Sequence, residues 1–355
     1  MTTNQRKTTR QSNYDCLRVL STVAVIFIHA NWQSFKDVYA EPSLSITWIA
    51  MSLINIVTRF SVPAFVMLSG AFNLSNASNV NPAAFYKKSL KKIFLPTALL
   101  AAFLVCYKIV INLLDGVTFY DGIIGILWGG FYNLWYIYML AGLYLLTPLL
   151  IKIRQSVGWK QYKTLSVVML LWAIGSQATS TEIVAYSIGV VFAFLGYYLV
   201  GDVLKVEETI RKTSQGKILL AFISGVCVIL TFIWRYLGHN YYISNSYINF
   251  FSPTIVIYSL CTFMLFSRTR VNSIWSRFAG ITLEIYLVHT LMLELLSPAL
   301  SVLNISELPR VLILAICTFI ASVFAAVIFR KVWNTLSEKI NLDKLLDSIL
   351  SRLLY

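Results

Sequence analysis

Arg18 and His29 stand eleven residues apart inside the first apolar stretch of a 355-residue chain. In an α-helix, eleven steps of about 100° close three turns with roughly 20° to spare and raise the chain about 16 Å, so both side chains share one wall at different depths. A guanidinium is a permanent cation suited to phosphate, and an imidazole is the side chain best poised to take a proton near neutral pH. Burying both in an apolar helix is costly, which makes a ligand or a catalytic task the leading explanation. The bland alternative lets Arg18 snorkel to the headgroups while His29 bonds a neighbouring helix.

Other residues join this pair. Arg59 and His29 are about equally far from the basic ends of their apolar spans, so antiparallel neighbours would bring them to one level. There Arg59 could stabilise a developing oxyanion, or simply brace helices through backbone carbonyls. Glu284, Tyr286, His289 and Glu294 lie on one later span, with His289 expected at the depth of His29. Glu284 is expected near mid-membrane, with Arg59 a candidate partner, and a bond from His289 to Glu294 is the structural alternative for that histidine. Lys87, Lys88, Lys91 and Lys92 precede another span, and spacings of three and four place Lys88, Lys91 and Lys92 on one helical face. Tyr132, Trp135 and Tyr136 open a further span, where they suit either a sugar face or a membrane-interface belt.

The elements that must position these residues follow from composition. Hydrophobic residues make up 58% of the chain and charged residues 12%, against about a quarter in ordinary soluble domains. With a mean hydropathy of +0.72, the class is an all-α polytopic integral membrane bundle. Apolar runs near twenty residues long predict about ten transmembrane helices, at 14–33, 45–73, 93–114, 133–151, 163–179, 183–201, 217–237, 248–267, 276–297 and 309–330. Pro63 falls inside the long second run and predicts a kink or break. The stretch 119–131, with Gly122, Gly125, Gly129 and Gly130, is too short to span and reads as re-entrant or interfacial. Residues 1–13 and 335–355 read as tails around a membrane domain over 14–334, with no room for an appended soluble catalytic domain.

All Lys and Arg except Lys36, Arg59, Lys108, Arg235 and Arg310 fall at alternate span ends, the side expected to be cytoplasmic together with both termini. Topology and anionic lipid account for the net charge of +14, which leaves nucleic acid unneeded as a partner. The first apolar run contains Arg18 and His29 and lacks a small-residue cleavage site, so it is expected to be retained rather than removed as a signal peptide. Cys16, Cys106, Cys227, Cys261 and Cys317 show no CxxC spacing, which argues against metal or disulfide frameworks and predicts small hydrophobes packed between helices. The chain shows no internal repeat, a feature of many transporter folds.

In order along the chain come Asp15-x-x-Arg18 with His29, Arg59-Phe60-Ser61-Val62-Pro63-Ala64-Phe65 with Ser69-Gly70, and the basic cluster before Ile93 and Pro96. Leu134-Trp135-Tyr136 with Leu143-Tyr144 and Pro148, Gly196-Tyr197-Tyr198, and Ile285-Tyr286-Leu287-x-His289 follow. This ordered set resembles the membrane-bound acyltransferase family 3. The resemblance implies transfer of an acyl group, usually acetyl from acetyl-CoA, to a hydroxyl of a cell-envelope glycan or lipid-linked sugar, in the bacterial plasma membrane. Acetyl-CoA would then be a donor substrate and no metal would be required. Arg18, together with Lys88, Lys91 and Lys92 where the family commonly has arginines, would meet the donor's phosphates. His29, reached by the thin pantetheine arm, would act as general base on the acceptor hydroxyl, with Arg59 and His289 assisting. Trp135, Tyr136, Glu284 and Tyr286 would line the acceptor side, Glu284 standing where the family often has a small residue. Two other classes fit the same chain: a translocator for a glycan or lipid-linked intermediate, and a non-catalytic membrane component of a polysaccharide pathway.

Overall fold

A computed structural model describes residues 2–35, 45–116, 118, 135–179, 188–211, 216–237, 249–303 and 305–354. Among these the regular structure is entirely helical. The α-helices are α1 (Thr2–Phe35), α2 (Ile46–Thr58), α3 (Ser61–Asn73), α4 (Pro82–Ser89), α5 (Leu95–Leu114), α6 (Trp135–Ser156) and α7 (Trp159–Thr179). They continue with α8 (Ile188–Arg211), α9 (Lys217–Leu237), α10 (Pro253–Arg268), α11 (Ile274–Ala279), α12 (Thr282–Ser301), α13 (Glu307–Lys339) and α14 (Leu342–Leu354).

A helix occupies each of the ten predicted positions, and among the described residues seven stretches are long and apolar enough to cross a membrane: Ile46–Asn73, Pro82–Leu114, Trp135–Ser156, Gly189–Glu208, Lys217–Leu237, Thr282–Ser301 and Glu307–Lys339. The other three fall short for physical reasons. Helix α1 opens on a polar segment and carries Asp15, Arg18 and His29, α7 is polar at both ends, and α10 has only 16 residues. The glycine-containing stretch 119–131 lies outside the described residues, as does Tyr132.

Local chemistry explains the boundaries that matter. Ser45 caps α2 by accepting from the Trp48 N–H at 3.2 Å. The second apolar run divides at Arg59 and Phe60, because Pro63 has no N–H to return to the Arg59 carbonyl, and the chain restarts as α3. Asn81 caps α4 ahead of Pro82, and a π-helical turn at Leu90–Phe94 joins α4 to α5. At the C-terminal end, Asn341 takes a positive φ of 47° and turns the chain from α13 into α14.

Helix α1 runs through the middle of the bundle, packed against α2, α3, α10, α11, α12 and α13. This placement takes its polar cargo, including fully buried Ser21 and Asn31, away from lipid. The Asn31 side chain donates to the Met51 carbonyl at 2.8 Å and ties α1 to α2. Helices α3 and α8 meet backbone to backbone: a Cβ on Gly70 would stand 1.8 Å from the Tyr198 carbonyl oxygen, and one on Gly201 would stand 2.1 Å from that of Met67. Small residues allow this approach where lipid supplies no hydrophobic drive. Helices α5 and α9 lie at the periphery, with Phe103, Phe222 and Ile229 exposed. Of the five cysteines, Cys16, Cys227 and Cys261 are buried as expected, whereas Cys106 on α5 and Cys317 on α13 are exposed rather than packed between helices.

Candidate functional site

A cavity of about 720 Å³ opens where the middle of α1, the first half of α6, the C-terminal part of α3, the start of α12 and the later turns of α13 converge on the π turn before α5. Exposed Lys92, Gly280 and Asn334 mark its mouth, and Phe65, Tyr136 and Tyr286 line its inner part. Among the described residues, four cations line its walls: Arg18, Lys91, Lys92 and Arg330.

These cations are held differently. Arg18 pairs with Asp15 at 2.9 Å, one helical turn away, and its guanidinium lies 5.9 Å from the centre of the Phe72 ring. Lys91 pairs with Asp343 of α14 at 2.6 Å, and Lys87, outside the cavity, pairs with Asp347 at 2.6 Å. Spacings of four on both helices match the two pairs, while buried Leu342, Leu346 and Leu350 hold α14 in place. Hydrogen-bonded Lys91 keeps the Asp343 carboxyl below the usual carboxylate range. Lys88 is exposed and stays outside the cavity, so the structure brings together Lys91 and Lys92 rather than all three lysines. The π turn at Leu90–Phe94 is wider than an α turn and rotates the preceding residues off the shared face.

The inner end leads to the histidines through rings. Tyr136 and Tyr286 stand 5.1 Å apart between centroids, Tyr286 and His289 5.4 Å, and His289 and His29 5.3 Å. Only Tyr136 and Tyr286 of this series line the cavity, so the histidine pair begins one ring beyond it. His289 Nδ1–H donates to the Tyr286 carbonyl at 2.5 Å, which leaves the neutral ring's lone pair on Nε2. That Nε2 is buried and makes no hydrogen bond among the described residues. Arg59 lies within Coulombic range of His29. Its Nε donates to Asn55 Oδ1 at 2.9 Å, and its guanidinium lies 5.5 Å from the Phe250 ring centre.

Several expectations change. Glu284 sits in the first turn of α12 rather than at mid-membrane, and it accepts from Arg330 Nε at 2.8 Å and Nη2 at 2.6 Å, so its partner is Arg330 and not Arg59. Glu294 pairs with Lys108, and His289 bonds the Tyr286 backbone instead. Tyr136 faces the cavity rather than an external mouth, while Trp135 packs against Phe194 at 5.9 Å and Phe250 at 6.2 Å. Ser69 and Asn73, one turn apart on α3, also line the cavity, and Asn73 Nδ2 donates to the Tyr198 hydroxyl at 3.3 Å. Arg330, Trp333 and Asn334 were not among the expected site residues. Their spacing on one helical face at the end of the last long span is the signal that points to them.

A cation-lined cavity leading toward half-buried His29 and fully buried His289 inside an apolar helical bundle suits group transfer at a membrane. Residues 11–329 match the acyltransferase family 3 model, described as an acyltransferase domain, and the chain belongs to this family of membrane acyltransferases. No curated protein and no solved structure matches the chain.

Proposed function

We propose that the protein moves a short acyl group, acetyl in the first instance, from acyl-CoA taken up at the basic end of the bundle. The acceptor is a hydroxyl of a cell-envelope glycan or lipid-linked sugar presented from the opposite face of a bacterial plasma membrane. The observation that supports this reading is the cavity running from Arg18, Lys91 and Lys92 to Tyr286, one ring short of the His289–His29 pair. Donor phosphates stay at the cationic rim, and the narrow pantetheine arm carries the thioester inward.

At the inner end His29 takes the acceptor's hydroxyl proton as the oxygen attacks the thioester carbonyl. The carbon–sulfur bond then breaks, the CoA thiolate leaves, and the proton held by His29 passes to it. Arg59, within Coulombic range of His29, offsets the negative charge that develops on the carbonyl oxygen. His289, with its tautomer set by the Tyr286 carbonyl, presents Nε2 as a second acceptor that orients the hydroxyl.

Acetyl transfer to envelope glycans by the protein purified into lipid bilayers tests the activity. A translocator consumes no acyl-CoA, so absence of transfer and of thioester hydrolysis would favour that class. Orientation is read separately with single cysteines. Replacements of Lys36, Tyr120, Thr181, Tyr241 and Asn304 should react with an impermeant external reagent, and replacements of Val80, Val157, Thr209 and Ile340 should not. Two or more labels on the wrong side would reverse the donor's approach.

A further inference from the structure

The family match ends at residue 329, and the next two helical turns carry a pattern of their own. Arg330, Trp333, Asn334 and Ser337 follow at i, i+3, i+4 and i+7, which sets all four on one face of α13. The fold turns that face into the cavity, with Lys91 and Lys92 also in its lining. A tryptophan serving only as an interfacial anchor belongs on the lipid-facing surface. Trp333 is instead half-buried in the cavity lining, and its indole makes no ring contact and no hydrogen bond among the described residues. Its neighbour Arg330 is fixed by Glu284 and the Gly280 carbonyl.

We infer that this stripe is the recognition site for the purine base of the acyl donor, with Trp333 stacking on the ring and Asn334 reading its edge. The inference rests on the acyl-CoA reading above and adds the part of the donor that the protein recognises. A flat heteroaromatic ring suits an unstacked indole, and such stacking tolerates any base. Selectivity comes from the amide: asparagine pairs in bidentate fashion with the adjacent acceptor and amino group of adenine, whereas guanine presents two acceptors there. Lys91 and Lys92 in the same cavity then meet the phosphates. The site favours an adenine-nucleotide donor over an acyl-phosphopantetheine carrier, which lacks the base.

The test uses the full chain in lipid nanodiscs and the two halves of CoA, adenosine 3′,5′-bisphosphate and phosphopantetheine, as equilibrium-binding probes. Trp333→Ala should weaken the bisphosphate about tenfold or more and leave phosphopantetheine within about twofold. Trp333→Phe should retain most of the bisphosphate affinity, and Asn334→Leu should erase the preference for the adenosine over the guanosine bisphosphate. Unchanged bisphosphate binding in Trp333→Ala, alongside weakened acyl-CoA binding in Arg18→Ala, would overturn the base site and leave the donor reading standing. Equal loss of both probes in Trp333→Phe would likewise overturn a stacking role. If the wild-type protein binds neither probe nor acyl-CoA, the donor reading fails and the base site fails with it.

Discussion

The two ends of the proposed donor path are built on opposite principles. At the rim the side chains of Arg18, Lys91 and Arg330 are each about a third exposed, and each is paired with a carboxylate. About 16 Å deeper along α1, by the helical rise, His29 meets a fully buried His289 whose Nε2 has no partner among the described residues. Exposed ion pairs are screened and contribute little each, so a ligand phosphate can displace one at small cost. A buried polar atom without a partner gains fully when a ligand supplies one. On the proposed reading, the rim adjusts affinity in small steps and the histidine pair decides whether chemistry occurs.

The largest expected effect lies at the buried end. His29→Ala should lower acyl transfer by a factor of about 10²–10⁴, the usual loss for a general base, with donor-analogue affinity nearly unchanged. His289→Ala should retain partial activity, since its proposed role is only to orient the acceptor. Turnover by purified variants in lipid, with donor binding measured in parallel, decides the matter. Retention of more than about a tenth of wild-type turnover in His29→Ala would move the base to His289.

Next comes the fixed charge that joins the two regions. Arg18→Ala should weaken binding of a non-hydrolysable acetyl-CoA analogue by about 10- to 100-fold, the range expected for one charge-assisted hydrogen bond. Lys91→Ala combined with Lys92→Ala should cost less, because flexible ammonium groups lose no bidentate geometry. A folded Arg18→Ala protein with wild-type affinity would leave snorkelling as the better account of that residue.

The smallest effect tests the rim's adjustability. Asp343→Asn releases Lys91 and should tighten donor binding by no more than about fivefold, an effect that disappears when Lys91 is also replaced. Because Lys91 depresses the Asp343 carboxyl, the pair is intact above the usual carboxylate range and breaks only as pH falls through the lowered value. Donor affinity should then show no step from this pair between about pH 6 and 8. Looser binding in Asp343→Asn would mean that α14 supports the site instead of competing for it.

Hydropathy and run length by themselves determined the all-helical membrane class and a helix at each of ten positions, since backbone in lipid must satisfy its hydrogen bonds internally. The break near Pro63 was equally legible, because a missing N–H acts within one turn. So was the placement of Arg18 and His29 on one continuous helix, because the apolar run between them is unbroken. Tertiary structure alone chose the Glu284–Arg330 pair across 46 residues, turned Tyr136 into the cavity, joined α14 to the lysines and brought Trp333 into the lining. Those choices depend on how each helix is rotated against its neighbours. That rotation is set where backbones meet, as at Gly70 with Tyr198 and Gly201 with Met67, and the periodicity of a single helix does not encode it.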